Sequence, residues 1–459
     1  MTGGLSEAAP ARPAAVTLMK FPYPYQAAVT VASDIDNASY NRFAAVHALF
    51  CGSEVILPGS RDWQTLGLLT SSAWYDGTAG GVRGLGLDLA DSFWLIGDPI
   101  GMGMYRYDPA ADRFNEDMSD GRNVCEATRG WLKSGQVDAF HTFLHYPREK
   151  VLPLLTEFYR WCNGEGVEKP RVWINHSVAV SPTGLCPGRF RPNRAVMLAR
   201  KAARYLIGPL FGRSRRPLRH AFAWYHGDTP GSPYYLNDIL AANGLRYVWL
   251  NIGLGRDTHC NRIALPERDW EGRSSVLDVV KMDDGVQYFR FDRCFGSESP
   301  APGAWMGLRQ AKNVFDTSVL FSRANLDRLC AESGTCILAT HWTMGPSLPL
   351  QDETIAHFHL LRQYREAGRI WVAPLGRLLE WTRVRTFLQY TVREDGGRLR
   401  IDVGDVNDPV LGRHRVTLEQ CRGLAFRVPE AAAAVGISVA GRPLSPEGVG
   451  RSGPDCWIR

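Results

Sequence analysis

Short apolar runs alternating with helix-like stretches that end in glycine constrain this chain more than any other feature. Eight runs rich in β-branched and aromatic residues stand out: AAVTVAS (27–33), SFWLIG (92–97), VDAFH (137–141), RVWINH (171–176), AFAWYH (221–226), RYVWLNI (246–252), CILATH (336–341) and RIWVAPL (369–375). Between them lie REKVLPLLTEFYRWCNGEG (148–166), SPYYLNDILAANG (232–244) and DETIAHFHLLRQYREAG (352–368). Strand, then helix stopped by glycine, then strand is the grammar of a parallel α/β fold.

Several of the runs end in a side chain able to do chemistry: Asp34, His141, His176, His226, Asn251 and His341. Reactive groups gathered at C-terminal strand ends favour a barrel whose site lies on that face. The reading predicts a distorted (β/α) barrel over 21–384; the pattern leaves the number of strands open. The segment Gly52–Arg129, full of Gly, Asp and aromatics, reads as an insertion of rim loops, and residues 1–20, rich in Ala, Pro and Gly, as a disordered lead. After residue 384 the texture changes. TFLQYTVREDGGRLRIDVGDV (386–406) alternates apolar and polar residues about a Gly-Gly turn, and LAFRVPE (424–430) and ISVAGRPL (437–444) are further short strands. A small antiparallel all-β module over 385–459 is expected.

Composition narrows the class. With 459 residues and 45% apolar side chains the chain has material for a large core, and a formal charge of +6 is too mild to mark a nucleic-acid binder. Fourteen Trp and sixteen Tyr offer flat faces on which sugar rings stack, although core packing accounts for most such residues in any protein. Ten cysteines without CxxC pairs read as reduced and buried. The N-terminal segment lacks a signal-peptide pattern and no window reaches the roughly 18 apolar residues of a membrane span, so a cytoplasmic location is expected.

Two motifs carry the chemistry. FHTFLHYP (140–147) sets His141 and His145 four residues apart, and SDIDNAS (33–39) sets Asp34 and Asp36 on the same side of an extended segment. One Asp with two His is a facial ligand set for a divalent metal with positions left open. The second acid is then placed to take a proton from the attacking water. The bland alternative is that Asp and Asn at a strand end merely cap a turn. His341, in front of the Gly/Pro loop WTMGP, suits a general acid, since an imidazole titrates near working pH. His176, His226, Tyr234 and Trp342 are candidates for the lining of a substrate cleft.

The order of these motifs resembles the polysaccharide deacetylase family of carbohydrate esterases, over about residues 25–382. HTFLH (141–145) matches the family's His-Thr/Ser-x-x-His motif, and CILATHWTMG with EAGRIWVAPLGRLLEW resembles its last motif. TPGSPYYLNDILAANGLRYVW resembles its middle segment. The resemblance implies a Zn²⁺ or other divalent transition metal on Asp36, His141 and His145, with Asp34 as base and His341 as acid. It implies removal of acyl groups, acetyl above all, from a carbohydrate or glycoconjugate by metal-activated water. The family's acids are adjacent, whereas Ile35 separates them here, which leaves open which acid is base and which is ligand. Its middle-motif Arg has only Arg191, before Pro192, as a weak counterpart.

Two other readings stand beside this one. A glycoside hydrolase on a related barrel would use Asp34 and Asp36 with a carboxylate across the cleft, for which Asp228 is the candidate. A catalytically silent carbohydrate-binding protein of a surface-polysaccharide pathway would need no metal. The basic stretch ARKAARYLIGPLFGRSRRPLRH (199–220) reads first as a solvated face, and second as a peripheral contact with phosphate or an anionic membrane surface.

Overall fold

The computed structural model describes residues 16–35, 38–52, 75–76, 81–82, 84–97, 101–119, 121–143, 145–175, 182–188, 225–250, 259–260, 264–265, 274–294, 321–340, 352–395, 398–430, 432 and 434–459. Two compact units divide the chain, one of residues 26–380 and the other of residues 1–25 with 381–459.

In the larger unit the apolar runs become strands because their side chains are buried almost without a break. Strand β1 (Ala27–Ser33) is buried at every position, the pattern of a strand covered on both faces. Helix α1 (Tyr40–Cys51) follows, its first turn capped by Ser39, whose hydroxyl accepts the Arg42 N–H. Then come β2 (Asp91–Phe93), α2 (Val124–Lys133), β3 (Val137–His141), α3 (Arg148–Glu165), β4 (Val172–Ile174), α4 (Asn237–Ala242) and β5 (Tyr247–Trp249). After these follow β6 (His259–Cys260), β7 (Asp278–Lys281), β8 (Gln287–Arg290), β9 (Arg293–Cys294), α5 (Arg323–Ala331), β10 (Thr335–Thr340), α6 (Asp352–Glu366) and β11 (Ile370–Val372). Helix α3 stops where Gly166 takes the left-handed conformation, φ 65°, that glycine adopts without a Cβ penalty.

Two sheets result. One runs β7-β8-β5-β4-β3-β2, parallel except for the β7–β8 hairpin. The other runs β6-β9-β10-β1-β11 and is parallel throughout. Among the described residues the sheets are not closed into a barrel by strand pairing. A side-chain bond spans them instead, from the Ser92 hydroxyl of β2 to the Ser33 carbonyl of β1 at 2.7 Å. The core of this unit is aromatic: Phe93, Phe140, Phe143, Phe158 and Trp173 meet edge-on or tilted at centroid distances of 5.0–6.3 Å. Trp94, Trp173 and Trp249 are fully buried, so these three tryptophans serve packing rather than an open sugar platform.

The Gly52–Arg129 segment departs from its reading as an insertion. Asp91–Phe93 pairs with β3 as a strand of the first sheet, because SFWL is as apolar as the other strand runs. The AFAWYH run lies largely outside the described residues.

In the smaller unit Leu388–Asp395 and Arg398–Asp408 form the expected antiparallel ribbon. Ala434–Val439, however, adds to Arg398–Asp408 in parallel, and a one-turn helix, Leu418–Cys421, interrupts the strands. Thr17–Leu18, read as part of a disordered lead, pairs antiparallel with Ala425–Arg427. Its backbone groups gain partners there that a free tail would leave to water. Tyr23 stacks on Trp457 at 3.8 Å, and Gly450 is required opposite that indole, where a Cβ would approach to 2.1 Å. Residues 1–15 lie outside the described part.

Candidate functional site

Five side chains come together here: Asp34 just past β1, Trp94 just past β2, His141 at the end of β3, Trp249 at the end of β5 and Arg293 at the start of β9. Asp34 directly follows β1, and its backbone N–H continues the ladder to the Thr340 carbonyl of β10 at 2.8 Å. Arg293, the first residue of β9, holds the Asp34 carboxylate with both terminal nitrogens, at 2.7 and 3.3 Å, and also donates to the Ala32 carbonyl at 3.0 Å. The guanidinium lies over the ring of Trp249, the last residue of β5, at 3.4 Å. Such fork-on-carboxylate geometry fixes the direction of Asp34. Arg293 is delivered there from a buried charged turn in which Arg290 reaches Asp278 and Asp292 at 3.7 and 3.8 Å.

On the other side of Asp34 stands His141, the last residue of β3 and wholly buried. Its ring stacks on Trp94 at 4.1 Å with the planes 8° apart. Nδ1 lies 3.0 Å from the Ile174 carbonyl of β4. The Thr142 N–H lies 3.2 Å from that same carbonyl and 3.0 Å from Nδ1 itself. The other ring nitrogen, Nε2, lies 3.9 Å from Asp34 Oδ1. That spacing is too long for a direct hydrogen bond. The spacing suits a single divalent ion, with bonds of about 2.0–2.2 Å to nitrogen and oxygen. A ligand histidine whose other nitrogen donates to a backbone carbonyl is the usual support for such a site. By donor chemistry His141 and Asp34 therefore fit a metal.

The remaining predicted residues are placed differently. His145 is exposed in the loop after β3 and stacks on Tyr146 at 4.5 Å. Among the described residues no three His, Cys, Asp or Glu side chains form a metal-sized group, so Asp34, His141 and His145 do not make a cage by themselves. His226 and Tyr234 are half-buried in the loop that leads into α4. The His226 N–H is tied to the Pro182 carbonyl at 2.7 Å, and the Tyr234 N–H to the Ser232 hydroxyl at 3.1 Å. Asp36, His176, Asn251, His341, Trp342, Arg191 and the basic stretch 199–220 lie outside the described residues.

Asp228, the carboxylate considered for a glycosidase, is fully buried. Its oxygens accept the N–H groups of Cys186 at 3.4 Å and Asp283 at 3.3 Å, which anchors loops rather than facing a cleft.

Arg293, Trp94 and Trp249 were not anticipated as site residues. The one local signal was a charged pair, Asp292-Arg293, set inside the aromatic run YFRFDRCF (288–295), where an unpartnered arginine would be costly. No protein-family model matches the chain, and comparison with curated proteins gives no match. No helix among the described residues is long and apolar enough to cross a membrane.

Proposed function

We propose that this chain is a metal-dependent hydrolase that removes acyl groups from a carbohydrate or glycoconjugate. Its two sheets are read as arcs of one distorted barrel, joined at the Ser92–Ser33 bond. The observation that carries the reading is the approach of His141 Nε2 to Asp34 Oδ1 across 3.9 Å, at the ends of β3 and β1.

A divalent ion such as Zn²⁺, when bound, supplies acidification of water and polarisation of the acyl carbonyl. His141 would hold it with one of Asp34 and Asp36 as carboxylate ligand, and His145 is the second histidine of the motif. The other acid of that pair would receive the proton of the attacking water, and Arg293 fixes the direction of Asp34. His341 returns a proton to the leaving group. Trp94 and Trp249 exclude bulk water from the two sides of the Asp34–His141 pair, which strengthens every charge interaction between them.

The test is metal content of the purified chain by elemental analysis, beside the His141→Ala/His145→Ala variant, followed by acetate release from acetylated sugars. Near-stoichiometric metal in the wild type, none in the variant, and acetate release lost with it is the expected result. A wild type that takes up no zinc, cobalt or nickel would sink the proposal. That outcome would favour the silent carbohydrate-binding reading, to which the clamping of Asp34 by Arg293 also lends support.

A further inference from the structure

A second cluster of reactive side chains lies apart from the Asp34 site, built on α1 and the start of β2. His47 and Cys51 are one helical turn apart and share a face. Cys51 Sγ is 3.7 Å from His47 Nδ1, and His47 Nε2 is 3.3 Å from Asp91 Oδ2. Asp91 is oriented in turn by the Ser92 N–H, which donates to its other oxygen at 2.8 Å. Thiol, imidazole and carboxylate thus follow one another in a line, the order in which a nucleophile, its base and the group that orients the base are arranged. Access singles out the same cysteine. Of the nine cysteines whose burial is described, eight are buried and Cys51 is partly exposed.

We propose that Cys51, His47 and Asp91 form a reactive thiol centre whose substrates are low-molecular-weight disulfides. The thiol proton leaves to solvent, from which His47 is later reprotonated, and the His47 imidazolium held by Asp91 stabilises the Cys51 thiolate. The Cys51 thiolate attacks one sulfur of R–S–S–R, forming a Cys51–S–S–R bond as the original S–S bond breaks. The departing R–S⁻ takes the proton from His47 and leaves as R–SH. Cys51 is oxidised and the leaving sulfur reduced, so the exchange needs no other reactant.

Burial alone would push His47 down, but its hydrogen bonds to Asp91 and Cys51, with their charges, outweigh that and hold it up at about 9. Two features oppose the thiolate. Cys51 also donates to the Leu89 carbonyl at 3.2 Å, and it ends α1, where the helix dipole is negative. That dipole acts as about half a unit charge spread over the last turn; the imidazolium is a full charge at close range. Among the described residues, Asp138 also faces this carboxylate: burial, with the charge of Asp91, pushes it up to about 7.

The experiment is peptide-resolved alkylation of the full chain by iodoacetamide across pH, then exposure to oxidised glutathione. In the wild type the Cys51 rate should have its midpoint at least about one unit below the ordinary thiol value of about 8.5. At pH 7 it should be about tenfold faster than Cys51 in His47→Gln. Oxidised glutathione should leave a mixed disulfide on Cys51 that dithiothreitol removes. A midpoint at or above the ordinary value, an unchanged rate in His47→Gln, or no mixed disulfide at pH 7 overturns the proposal. Should His47→Gln fail to fold, the wild-type pH profile and Asp91→Asn decide it alone, with a raised midpoint expected in Asp91→Asn.

Discussion

Two buried carboxylates face histidines in this molecule, Asp34 just past the end of its strand and Asp91 at the start of its own. Between Asp91 and His47 the gap is 3.3 Å, close enough to share a proton. Between Asp34 and His141 it is 3.9 Å, and Arg293 already supplies the positive charge at 2.7 Å. The same pair of residue types therefore yields an ion pair in one place and an open gap in the other. The third partner decides which: a helical cysteine beside His47, and a guanidinium beside Asp34.

The comparison can be broken most forcefully at Arg293. Arg293→Ala leaves Asp34 charged and nearly buried, and should cost about 3–5 kcal/mol by chemical denaturation. Adding Asp34→Asn should recover part of that loss; a full-size loss in the double variant would mean that Arg293 acts through packing on Trp249 instead.

His47 sharpens the other half of the comparison through pH. Its folded value of about 9 lies above the unfolded value of about 6.5. The stabilisation it contributes is therefore complete below pH 6.5 and is lost as pH rises through about 9, to an extent of about 3 kcal/mol. Stability measured across that window should fall in the wild type and stay level in His47→Gln. A level wild-type curve would show that Asp91 does not hold His47 charged.

Smaller effects are expected outside both clusters and serve as controls. Gly166→Ala forces a side chain into the left-handed cap of α3 and should cost about 1 kcal/mol in thermal unfolding. Glu366→Ala removes the exposed bond from Arg362 on α6 and should change stability by less than about 0.5 kcal/mol. Neither substitution should alter metal content or Cys51 alkylation.

The strands were readable in the sequence wherever a run was apolar throughout. AAVTVAS, VDAFH, RVWINH, RYVWLNI, CILATH and RIWVAPL all contain strands of the two sheets. Asp34 and His141 followed from the same pattern, since the last residue of such a run emerges at the sheet's edge. Arg293 did not, because it meets Asp34 across 259 residues and β9 is only two residues long. A pairing at that distance leaves no local periodicity to read. The Cys51–His47 spacing was available as an i, i+4 pair, but Asp91, 44 residues on, supplies the meaning. Thr17–Leu18 escaped for a related reason: two residues paired with a strand some four hundred positions away carry no signal of their own.

The position of β1 has a consequence for how the chain is made. Both of its hydrogen-bonded neighbours, Thr335–Thr340 and Ile370–Val372, are synthesised some three hundred residues later. A nascent chain therefore carries Ala27–Ser33, apolar along its whole length, with neither edge covered until translation is nearly complete. Such a segment is a natural client for chaperones. Truncation before residue 335 should strand it, and the expected product is an insoluble fragment rather than a smaller folded one.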